Sequence, residues 1–97
     1  MRKGKIKVLH KSFTTFEFDG YIDDEKNIGY YKDPEGKWAS TDLPTGSRIS
    51  EAMTRKECIQ ETEKSFEKVL ECRNKEIYPE LMRKFENAEP SKGEWKQ

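Results

Sequence analysis

Residues 53–77, MTRKECIQETEKSFEKVLECRNKEI, decide how the rest of the chain must fold. The stretch opens on a capping box: the Thr54 hydroxyl can accept from the Glu57 amide, and Glu57 can reach back to the amide of Thr54. Met53, before the cap, and Cys58, just beyond it, are spaced for a hydrophobic staple. At about 100° per residue, Ile59, Phe66, Leu70 and Ile77 fall on one line, widened by Cys58, Thr62 and Val69. Glu57, Gln60, Glu61, Lys64, Glu67, Lys68, Glu71 and Lys75 fall opposite. The pattern predicts one long amphipathic helix, and a helix of this length is marginal alone, so its stripe needs a cover. Arg73 lies inside the stripe. It reads as a snorkelling stem at the edge of the core, with a buried ion pair or ligand contact as the sharper alternative.

The cover lies upstream. Lys5–His10 alternates as a strand, with Ile6 and Val8 inward. Phe13–Ile22 is a second strand region, with Phe16, Phe18 and Ile22 on one face and Thr15, Glu17, Asp19 and Tyr21 on the other. Gly20 within it marks a bulge or a close backbone approach. Ile28–Lys32 is a third strand. Asp33-Pro34-Glu35-Gly36 is a type I turn, returning the chain through Lys37–Thr41. A turn at Leu43–Gly46 leads to a short extended segment, Ser47–Ser50. Downstream, Pro79 predicts a kink in the helix, which resumes for two turns through Phe85. The fold expected is α+β: an antiparallel three- to four-stranded meander packed on a long C-terminal helix kinked near Pro79. Residues 1–86 form one domain and residues 87–97 a tail, in which Trp95 is a loosely held aromatic or an anchor for a partner.

The chain has 97 residues, enough for one domain with a modest core, and carries 39% charged against 32% apolar residues. Eleven aromatics argue against wholesale disorder. A net charge of zero exerts no global pull towards nucleic acid or membrane. The charges are unevenly spread: residues 1–12 carry five basic and no acidic groups, and residues 13–36 carry seven acidic and two basic. No apolar run has the length of a membrane span and no secretory signal is visible, so the chain reads as soluble, cytoplasmic and without a membrane partner. Cys58 and Cys72, fourteen residues apart on one helix, would be separated by about 21 Å along its axis. A disulfide needs Cα atoms within about 7 Å, so both are read as free thiols.

Catalysis finds no purchase. His10, at a strand end, has no second ligand spaced with it for a metal and no nucleophile beside it. No phosphate loop, nucleophile elbow or zinc cluster occurs, so no enzyme, metal or cofactor is expected. Two surface features remain. Glu17, Asp19, Asp23, Asp24 and Glu25 form an acidic cluster, read as a patch for a basic protein surface. A sheet with one helix-covered face has one open face, on which Tyr21, Tyr31, Lys32, Lys37, Trp38 and Arg48 could stack on bases or pack on a protein.

The residues Trp38-x-x-Thr41-Asp42-x-Pro44-Thr45-Gly46-x-x-Ile49, followed by Thr54-Arg55-Lys56-Glu57, resemble a pattern of small uncharacterised phage and mobile-element proteins. The strand–turn–strand around DPEGKW, followed by the helix opening TRKEC, also resembles the arm-type DNA-binding domain of tyrosine integrases. That resemblance implies a three-stranded sheet packed on a helix, with the sheet entering the major groove; the acidic strands here argue for another partner. The function expected is a non-enzymatic, macromolecule-binding protein of phage or mobile-element origin, in its sharpest form an inhibitor of a host defence or nucleic-acid-processing protein. The alternatives are a nucleic-acid-binding module using the sheet with Arg2, Lys3, Lys5 and Lys7, and a structural homodimer.

Overall fold

The computed structural model describes residues 1–10 and 13–95. Lys11, one of the five basic groups of residues 1–12, and residues 96–97 of the expected tail lie outside the described residues. Five strands succeed one another as antiparallel neighbours: β1 (Arg2–Leu9), β2 (Thr14–Asp23), β3 (Ile28–Lys32), β4 (Trp38–Asp42) and β5 (Ser47–Ala52). Three helices follow, α1 (Arg55–Lys64), α2 (Phe66–Arg73) and α3 (Tyr78–Glu86), and then a two-residue strand, β6 (Glu89–Pro90), which pairs parallel with Thr14 and Thr15 of β2. The α+β class and the meander hold. The sheet has one strand more than the upper expectation before β6 is added, and the single long helix is replaced by three short ones.

The alternation read from the sequence sets the register. Ile6 faces Phe18 and Val8 faces Phe16 across β1 and β2, while Lys5 faces Asp19 and Lys7 faces Glu17 on the reverse side. Apolar groups of both strands thus share one surface and charges the other. The sheet curls until the Leu9 amide donates to the Gly46 carbonyl at 3.0 Å, linking the end of β1 to the turn before β5. Inside the curl, Ile6, Val8, Ile22, Tyr31 and Ala39 form a buried cluster against which Phe16, Phe18, Leu43 and Trp95 pack. The open sheet face expected from one helix layer is therefore closed by the sheet itself. Gly20 is a close approach: a Cβ there would overlap the Tyr30 carbonyl oxygen and crowd the Ile6 methyl.

A second cluster lies outside the curl. Ile28 and Tyr30 of β3 meet Cys58, with Trp38, Ile49, Ala52, Ile59 and Phe66 around them. Here α1 lies over β3, β4 and β5. Of its capping box, the half contributed by Thr54 forms, the hydroxyl accepting from the Glu57 amide at 3.2 Å. The staple does not: Met53 is exposed while Cys58 turns fully into the sheet. Thr62 packs beside it, its hydroxyl bonded to the Cys58 carbonyl and to the Ser40 hydroxyl, each at 2.7 Å.

Two interruptions explain why the helix is not continuous. Ser65, at φ −93° and ψ 0°, caps α1, its amide shared between the Glu61 and Thr62 carbonyls. Asn74 caps α2 in the same manner, its amide shared between Leu70 and Glu71. Such shared bonds are the tightened last turn of a helix end. Pro79 then sits in the first turn of α3, where its missing amide has no partner to lose, so it starts a helix instead of kinking one. The consequence for packing is direct. Leu70 and Ile77, placed by periodicity on the buried stripe, are 42% and 50% exposed.

The C-terminal segment is attached. The Ser91 amide donates to the Thr15 carbonyl at 2.8 Å, and Trp95 packs against His10, Phe16 and Phe18 with ring centroids 4.7, 5.2 and 5.4 Å away. Trp95 is thus an internal anchor over the aromatic edge of the inner cluster.

Candidate functional site

Part of the acidic cluster is met by cations of its own sheet. Because β1 pairs with β2 in antiparallel register, the basic lead-in runs beside the acidic strand. Lys5 Nζ lies 2.6 Å from Asp19, and Arg2 donates two bonds to Asp24, at 2.7 and 3.1 Å. The Asp23 carboxylate accepts from the Lys26 amide at 3.2 Å, closing its turn. Glu17 lies opposite Lys7, and Glu25 is exposed at the turn. The bond from Arg2 holds the Asp24 carboxyl below its ordinary range, and the bonds to Asp24 and Asp19 hold Arg2 and Lys5 above theirs. All of these pairs are open to solvent and screened by salt. Two of the five carboxylates, Asp19 and Asp24, thus carry an ion pair with β1.

The aromatic and basic set divides three ways. Tyr21, Lys32 and Trp38 come together on the outer face, in a shallow groove also lined by Lys3, Lys5, Asp19, Gly4 and Gly20. The Arg55 guanidinium, delivered by the first residue of α1, lies 4.4 Å from the Tyr21 ring and 5.8 Å from the Trp38 ring. Tyr31 is not part of this surface. Its neighbour Tyr30 takes the helix side, so Tyr31 points into the curl, 2% exposed and stacked on Phe18 at 4.9 Å. Burial pushes its hydroxyl up, with Arg48 opposing. Lys37 follows the turn, its amide held by the Asp33 carboxylate at 3.0 Å. Arg48 sits on β5, paired with Glu51 at 2.8 Å.

A third feature was not foreseen. Where α2 breaks into α3, a groove of about 570 Å³ opens between these helices and β5. Ile49, Val69, Ile77 and Leu81 supply its apolar lining, and Arg48, Lys68 and Lys75 its charged rim. Its floor is the Asp42 carboxylate, the acid among the lining residues. One Asp42 oxygen accepts from Arg73 Nε and Nη2 at 2.9 and 2.7 Å; the other accepts from Thr45 at 2.7 Å and Tyr78 at 2.5 Å. Arg73 Nη2 also donates to the Lys26 and Asn27 carbonyls, at 2.9 and 3.2 Å. Every oxygen of the acid is therefore engaged, and none of its charge is left for a ligand. Desolvation first, then the bond to Asp42, pushes the Tyr78 hydroxyl up to about 12. Arg73 thus takes the buried ion pair and not the snorkelling stem. The signal for the groove was present in Asn74 and Pro79, a stop and a start five residues apart, but the uninterrupted helical period masked it.

The thiols differ in kind. Cys58 is buried, and burial raises its thiol, whereas Cys72 is exposed and lines the groove. His10 packs against Phe16 and Trp95. Among the described residues no group of three or more His, Cys, Asp or Glu is placed to hold a metal ion, and no helix is long and apolar enough to cross a membrane. No family model, curated protein or solved structure matches the chain.

Proposed function

We propose that this chain is a non-catalytic protein-binding module whose groove between α2, α3 and β5 receives an acidic, apolar-faced helical segment of another protein. The observation that carries the reading is the combination of exposed Ile77 and Leu81 with a rim of Arg48, Lys68 and Lys75 above a carboxylate already neutralised by Arg73. Apolar groups left at the surface beside one another mark an interaction site more often than scattered ones do. A groove of this form suits an amphipathic helix, whose residues one turn apart enter it together. The positive rim selects acidic flanks by steering and repels basic ones. This partner is the reverse of the basic one expected from the acidic cluster, two of whose five carboxylates are paired with β1. Inhibition of a host defence or nucleic-acid-processing protein would be one consequence of such binding, and nothing in the groove selects it.

A direct test uses fluorescein-labelled synthetic peptides of about 18 residues, long enough for a stable helix, with one leucine face and either glutamate or lysine flanks. Fluorescence anisotropy should show saturable binding of the glutamate version, weakened by salt and by Lys68→Glu with Lys75→Glu, and lost in Leu81→Glu. Equal binding of both peptides, or of neither, contradicts the proposal.

A further inference from the structure

We infer that the outer face of β1 to β4 is a second, independent binding surface, fitted to single-stranded nucleic acid. Tyr21 and Trp38 lie 6.3 Å apart between centroids, tilted by 34°; both residues are half-buried and line the shallow groove. Lys3, Lys5 and Lys32 border them, and Arg55 reaches across from α1. Four cations therefore surround the pair, against the single carboxylate of Asp19, which lines the same groove.

Each part has a role in holding a flexible strand. Bases stack on aromatic faces whatever their sequence, and lysines beside the faces meet the phosphates. Arginine does both, stacking through its plane and donating through its edge. Lys5 and Asp19 are bonded to each other, but the two side chains are 65% and 87% exposed, so a phosphate can displace the carboxylate at little cost. The shallow form favours a single strand: an aromatic platform needs an unstacked base, which a duplex does not present. The neutral chain supplies no long-range field, so binding rests on these few groups and falls steeply with salt.

The test titrates a fluorescein-labelled oligothymidylate of about 10 nucleotides, within the footprint of small single-strand modules, against the same strand in a duplex and against dextran sulfate. Titrations are run at low and near-physiological salt. A Trp95→Phe background leaves Trp38 as the reporter. The single strand should bind at low salt, quench Trp38 and weaken at least tenfold in Lys3→Glu with Lys32→Glu, two exposed positions whose change leaves the melting temperature in place. Absence of binding overturns the inference, as does duplex binding of equal strength. Competition by dextran sulfate with no quenching by the oligonucleotide would show a polyanion surface only, and would also overturn it. The groove of α2 and α3 is untouched by these changes, so peptide binding should persist in every variant.

Discussion

Asp42 ends β4 in a buried position and would be untenable there alone, because a desolvated carboxylate without partners costs several kcal/mol. Three of its four bonds come from residues distant in sequence, two from Arg73 at the end of α2 and one from Tyr78 at the start of α3, and the fourth comes from Thr45, three residues on in the turn before β5. The network therefore ties the helix break to the sheet. Arg73→Ala should destabilise the fold by about 3–5 kcal/mol in chemical denaturation, the range for leaving one partner of a buried pair uncompensated. A cost below about 1 kcal/mol would mean that water replaces the guanidinium. Tyrosine titration offers a second check. Tyr30 and Tyr78 are both pushed up to about 12, chiefly by burial. Their neutral forms are favoured by folding, so the stability they contribute is intact below the unfolded value near 10 and is lost as pH rises from there towards 12. Absorbance at alkaline pH should show tyrosinate delayed in the folded protein and released with unfolding; Tyr78→Phe should flatten the loss of stability over that window. Of these residues only Arg73 announced itself in the sequence, as a cation inside an apolar stripe. Asp42 and Tyr78 carry no local pattern, since the contact that defines them is long-range.

At the level of elements, the strands were the legible part. Period-two alternation for β1 and β2, and turn residues for the segments after them, placed β1 to β5 within a few residues of their observed bounds, and Asp33-Pro34-Glu35-Gly36 closed as a turn, the Gly36 amide donating to the Asp33 carbonyl at 3.0 Å. The alternation could not say which face the helix would take, because Tyr30 and Tyr31 are equally suited to burial and both are buried. The helix was misread for a related reason. A period of 3.6 continues across a one-residue interruption such as Ser65, so the pattern persists where the hydrogen bonding does not. Gly20 gives the sharpest test at this scale. Gly20→Ala forces a methyl onto the Tyr30 carbonyl where β2 meets β3, and no side-chain movement relieves a backbone overlap. Its melting temperature should fall by several degrees or the variant should not fold, whereas Gly93→Ala, with open space around the added carbon, should be neutral. Equal behaviour of the two would contradict the assigned β2–β3 register.

Across the whole molecule, the closure of the sheet decides what is left for binding. Phe85 of α3 packs against Gly46, and a Cβ on that glycine would strike the ring. With Leu9 joined to Gly46, α3 thus seals one end of the curl, and Trp95 covers its aromatic edge. The Trp95 indole nitrogen is buried without a hydrogen-bond partner among the described residues, so apolar contact is what holds the ring. With the inner face filled, two surfaces are left for binding: the apolar groove where α2 gives way to α3, and the aromatic outer face of β1 to β4. Composition could not reveal this, since neutral net charge and high polarity are averages over the whole chain and hide, for example, the oppositely charged β1 and β2 that lie side by side.

The central claim, that this groove receives an acidic amphipathic helix, can be read through its own thiol. Cys72 lines the groove and is exposed, while Cys58 is fully buried, so alkylation of the native protein by iodoacetamide reports on Cys72. Mass spectrometry should show one modification, its rate slowed at least fivefold by saturating glutamate-flanked peptide and unchanged by the lysine-flanked one. Protection by neither peptide, or by both alike, would contradict the account.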